Sequence, residues 1–92
     1  MLDITYETFA SNTEKLELLI QDFDSNQKEI KNILENIPKY WVSPESEEYY
    51  NRYRRVKDNP AGLKELVFEV STRMRELYDS LKVVVDAKLR GG

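Results

Sequence analysis

The chain contains no cysteine and no histidine. Those two absences remove disulfides, thiol nucleophiles, zinc fingers and the imidazole general base together. Glycine and proline are scarce, three of each in 92 residues, and the first of either is Pro38, so nothing before it breaks a helix. No stretch approaches the roughly 20 apolar residues needed to cross a bilayer. The opening Met1-Leu2-Asp3-Ile4-Thr5-Tyr6-Glu7 lacks the basic and apolar regions of a secretory signal peptide. These readings predict a protein that starts in the cytoplasm, with no membrane insertion, no metal and no cofactor.

Charge, by contrast, is plentiful and uneven. Residues 1–48 carry 11 acids and 4 bases, net −7, and residues 49–92 carry 6 acids and 10 bases, net +4. Segments of opposite sign attract when packed, which modestly favours an antiparallel arrangement. A chain this short forms one domain and buries only about 60–65% of its unfolded surface, so apolar faces left over predict a second copy or a partner.

Apolar residues recur every seven positions through the first arm: Leu2, Phe9, Leu16, Phe23, Ile30 and Ile37. Leu19, Ile20, Ile33 and Leu34 widen the stripe, and Asn12, Thr13, Asn26 and Gln27 interrupt it with polar residues. A seven-residue repeat is that of coiled-coil-like packing. The spacing predicts one helix over 2–37, about 50 Å long, stopped by Pro38. A turn over 38–43 follows, then a cap-and-proline start at Ser43-Pro44 with Glu45, Glu47 and Glu48 in the first helical turn. The second arm, 44–89, carries Tyr49, Tyr53 and Val56 on one face. It kinks or restarts near 58–62, where Asn59-Pro60 repeats the same signal. From there Leu63, Val67, Val70, Met74, Leu77, Leu81 and Val84 step by fours and threes, broadened by Leu66, Tyr78 and Val85, while Phe68, Val83 and Leu89 fall off the stripe. Gly91 and Gly92 end the pattern, and residues 83–92 are expected to form a projecting or frayed tail.

The predicted fold is therefore all-α: an antiparallel helical hairpin that dimerises into a four-helix bundle, because one hairpin covers each stripe only in part. The predicted association face comprises Phe9, Leu16, Ile20, Phe23, Ile30, Leu34, Leu63, Val67, Val70, Met74, Leu77 and Leu81. On this reading a charge at Leu16 or Leu77 breaks association.

Trp41-Val42-Ser43-Pro44-Glu45-Ser46-Glu47-Glu48-Tyr49 resembles the turn of the WXG superfamily, small helical hairpins exported by type VII secretion. That turn reads Trp, any residue, Gly, then a small residue three later and an aromatic three later again. Trp41, Ser46 and Tyr49 match, and Ser43 stands in place of the glycine. The resemblance implies a small exported protein, leaving without a cleaved signal peptide, whose partners are a second copy, another small helical protein, a larger effector or the secretion ATPase. The family's C-terminal Tyr-x-x-x-Asp/Glu signal is missing, since Lys82 follows Tyr78 at the acidic position and Lys57 follows Tyr53. A cytoplasmic coiled-coil adaptor or regulator unrelated to export is the alternative.

Other chemistry is weakly signalled. Asp22-Phe23-Asp24-Ser25-Asn26 opens like a calcium loop, but Gln27 replaces the required glycine and Ile33 the bidentate glutamate. Segment 49–57 interleaves tyrosines with Arg52, Arg54, Arg55 and Lys57, a composition used on nucleic acids. In an acidic chain it reads better as a surface for an acidic protein partner. No nucleophile–base pair or phosphate loop appears, so no enzyme is expected.

Overall fold

The first helix ends early. In the computed structural model, which describes residues 2–89, α1 covers Tyr6–Ile20 and α2 covers Phe23–Glu35. The expected unbroken helix over 2–37 is thus two helices, and the cause lies at Asp22. Gln21 keeps helical dihedrals (φ −59°, ψ −26°), whereas Asp22 leaves them (φ −135°, ψ 73°). Its carboxylate accepts from the Ser25 amide at 3.4 Å, as an N-cap does. The Gln21 and Asp22 amides donate to the Leu18 and Leu19 carbonyls, each at 3.2 Å, tightening the last turn of α1. Leu19 O also accepts from the Asn26 side-chain amide at 3.1 Å, so a polar residue of the stripe stitches the two helices together.

The break reverses the chain. Thr5 N donates to Tyr40 O at 3.0 Å, whereas an unbroken helix would hold those residues about 50 Å apart. Next to this bond, β1 (Asp3–Ile4) pairs antiparallel with β2 (Trp41–Val42), Asp3 facing Val42 and Ile4 facing Trp41. The expected turn over 38–43 holds this strand and a further helical turn, α3 (Ile37–Tyr40). Pro38 sits at its start, where a missing amide costs nothing, and α2 ends just before it, at Glu35. Nothing in the sequence pattern alternates strongly enough to announce so short a ladder.

The second half follows its local signals. Ser43 caps α4 (Pro44–Val56) in a reciprocal box: its Oγ accepts from Ser46 N at 3.0 Å, and Ser46 Oγ accepts from Ser43 N at 2.9 Å. The restart expected near 58–62 is present, with α5 running from Pro60 to Leu89. Asn59 Oδ1 accepts from Gly62 N at 3.3 Å. A Cβ on Gly62 would lie 3.3 Å from Val56 side-chain carbons, so glycine lets α5 leave close to the end of α4.

The result is an all-α fold in which α1 packs on α2 and α5, and α4 packs on α2 and α5. Arg73–Glu45 and Arg52–Glu69, both at 2.9 Å, fix α4 antiparallel to α5. Glu17–Arg75 and the bond from Tyr78 Oη to Glu14 at 3.1 Å do the same for α1 and α5. Glu17 and Glu45 come from the acidic half and Arg73 and Arg75 from the basic half, in line with the charge asymmetry. Such half-exposed pairs orient helices more than they stabilise them, contributing about 0–1 kcal/mol each. The molecule measures 47 × 27 × 17 Å, its long axis close to the roughly 45 Å of α5 alone.

Candidate functional site

Two features are candidates for function: the cluster around Trp41 and the far end of α5. The motif residues come together. Trp41 is 1% exposed, its ring 5.5 Å from Phe9 and 5.9 Å from Tyr49. Ser46 is also buried, and its hydroxyl donates to Trp41 O at 2.8 Å. A small residue belongs at 46 because the side chain must fit beneath that carbonyl while closing the capping box. Ser43 has φ −165°, extended backbone open to any residue, so this turn has no need of the glycine. Beside the cluster lies a cleft of about 180 Å³ lined by Ile37, Pro38, Val42, Glu47 and Tyr50 among others. Trp41 Nε1 has no hydrogen-bond partner within the protein.

Trp41 therefore joins three segments: Phe9 of α1, the β2 backbone and Tyr49 of α4. Tyr40 beside it is almost fully buried and its hydroxyl donates to Ile33 O at 3.1 Å. Burial pushes the Tyr40 phenol well above its ordinary value of about 10, and burial followed by the nearby Glu35 carboxylate does the same for Tyr53. A raised phenol pKa contributes stability that is complete below the unfolded value and is lost as pH rises above it. Unfolding free energy is thus expected to hold to about pH 9. Above about pH 10 it should fall by up to about 1.4 kcal/mol per pH unit for each such tyrosine. Urea midpoints measured across that range check this; a flat profile contradicts it.

The expected association face is mostly internal. Phe9, Leu16, Phe23, Ile30, Leu34, Leu63, Val67, Val70 and Met74 are all at most 5% exposed within a single chain, and Ile20 is partly buried. Sequence periodicity identified which residues avoid water, but the fold-back supplies partners from the same chain. Leu77 and Leu81 are half-buried. The polar interruptions are accommodated too: Thr13, fully buried, donates to Phe9 O at 2.8 Å one turn back.

Beyond Tyr78 the apolar residues of α5 leave the core cluster. Val83 is 70% and Val84 53% exposed, although Val84 continues the stripe of Leu63 to Leu81. Phe68, expected off the stripe, is 48% exposed. The expected tail over 83–92 is, as far as Leu89, the last turns of α5; Arg90, Gly91 and Gly92, and the side chain of Leu89, lie outside what the structure describes.

The basic-aromatic segment is partly committed to the fold. Tyr53 is buried, Tyr49 and Tyr50 pack against the core, and Arg52 forms a two-bond pair with Glu69, leaving Arg54 and Arg55 exposed. The pair holds the Glu69 carboxyl below the usual range. Asp22, the first residue of the calcium-like run, is the cap of α2. Among the described residues, no group of three or more carboxylates is placed to hold a metal ion, and no helix is long and apolar enough to cross a membrane. The chain matches no protein-family model, no curated protein and no solved structure.

Proposed function

We propose that the protein is non-enzymatic and works by helix–helix association, the far end of α5 receiving an amphipathic helix of a partner protein. One observation carries this reading: Leu81 and Val84 extend the core stripe of α5 past Tyr78, the last residue of α5 packed against the core, leaving Val84 and its neighbour Val83 in water. An apolar stripe that outruns its own bundle suits a helix laid alongside.

The setting we propose is type VII export, as substrate or as the co-secreted partner of a larger effector. It is supported by the clustering of Trp41, Ser46 and Tyr49 at the cap of α4, residues otherwise scattered over nine positions. The broken first helix departs from the family's hairpin, so this support is local to the turn. In a host with an active secretion ATPase, the protein is expected in the culture medium, and only while that ATPase is intact. The Val83→Asp/Val84→Asp variant is expected to remain folded but to lose its partner. Retention in the cells despite an active ATPase would instead favour the intracellular adaptor.

A further inference from the structure

We infer that α1 exchanges between two copies of this chain, its place against α2 and α5 being taken by α1 of the second copy. This exchange uses the opposite part of the sequence from the exposed end of α5 and is independent of docking there. Three observations carry it.

The reversal between α1 and α2 rests on two residues, and of these only Asp22 departs from helical dihedrals. Rotation at Asp22 toward about −63°, −42° merges α1 and α2 into one rod. The intervening sequence does not oppose that rod, since residues 2–37 contain neither glycine nor proline and keep their seven-residue apolar step straight through the turn, from Leu16 to Phe23 to Ile30. Finally, the side-chain bonds made at the turn itself, which exchange would not re-form, are few: a 3.4 Å cap from Asp22 to Ser25 and the Asn26 bond to Leu19 O.

Opening the turn uncovers the buried faces of α1 and of the groove it leaves, including Phe9, Thr13 and Leu16, each 0% exposed. Those faces are complementary to a second chain opened in the same way. Every core contact, the Glu17–Arg75 pair and the β1–β2 ladder can then re-form between chains, and only the hinge differs. Exchange of an identical element through a short hinge is a low-cost route to a dimer, and the occupant of the vacated groove is therefore a second copy.

The absence of cysteine allows a direct test. Asp3 and Val42 are exposed and face each other in the ladder, at a spacing that suits a disulfide. In the full chain carrying Asp3→Cys and Val42→Cys, monomer and dimer are separated by size, oxidised and run under denaturing, non-reducing conditions. Exchange predicts bridges within chains in the monomer and between chains in the dimer. Asp22→Ala removes the cap and favours a continuous helix at both hinges, so it should raise the dimerisation constant roughly tenfold or more. Asp22→Gly, which caps nearly as well and disfavours the helix, should not. A dimer whose bridges all lie within chains overturns the exchange while leaving docking on α5 untouched. So does a chain that stays monomeric at millimolar concentration with Asp22→Ala in place and its helical signal intact.

Discussion

Trp41→Ala is expected to lower the unfolding free energy by about 3–5 kcal/mol. Domains of this size have about 5–14 kcal/mol in total, so the loss is at least about a fifth of the whole. The size of the effect follows from position. The indole is 1% exposed and packs against the rings of Phe9 and Tyr49, so its removal opens a void that close-packed neighbours fill only in part. Trp41→Phe keeps much of the volume and also removes the unpartnered Nε1, so it should cost appreciably less. Urea unfolding followed by circular dichroism measures both. A loss below about 1 kcal/mol for Trp41→Ala would mean that the indole is not at the junction of α1, β2 and α4.

The second large effect separates folding from association. Leu16 is 0% exposed, packed inside a single chain. A carboxylate there is either charged without a partner or protonated at a cost, and Leu16→Asp should remove more than about 4 kcal/mol and abolish the folded state. Val84→Asp alters a residue 53% exposed and should change stability by no more than about 0.5 kcal/mol while weakening association. The sequence alone placed Leu16 on the apolar stripe of the first arm and Val84 at the end of the stripe of the second. If Leu16→Asp gave a monomer with native helical content and cooperative unfolding, Leu16 would belong to an interface between chains after all.

The contrast shows what sequence reasoning reached. Of the seven-residue series, Phe9, Leu16, Phe23, Ile30 and Ile37 are each at most 5% exposed, whereas Leu2, before the start of α1, is 52% exposed. Starts of helices were equally legible at Ser43-Pro44 and Asn59-Pro60, because a capping side chain and a proline act within one turn. The direction of the chain after Ile20 was not. A heptad pattern is unchanged whether the helix runs straight or folds back, and no glycine or proline marks the reversal. The one local signal was Asp22 followed by Ser25, which also resembled the opening of a calcium loop; as an N-cap it begins α2. Without that turn, the same stripe required a second chain to cover it.

At the candidate site the turn motif was readable as spacing, and the fold brings Trp41, Ser46 and Tyr49 together. The exposed end of α5 was half-readable. Val84 keeps step with Leu77 and Leu81, yet the lengths of the two arms already placed residues 83–92 beyond the bundle, and Val83 and Val84 are indeed exposed. Periodicity reports a face, not what lies opposite it.

The central claim is that one chain closes its own core by reversing at Asp22. Its most direct test is the distance between spin labels at Thr5 and Lys39, both exposed, in monomer isolated by size and kept dilute, without added chain, so that only pairs within one unexchanged chain are seen. The fold-back predicts a separation below about 25 Å, against roughly 50 Å for an unbroken helix. A dominant distance near the longer value would contradict the account.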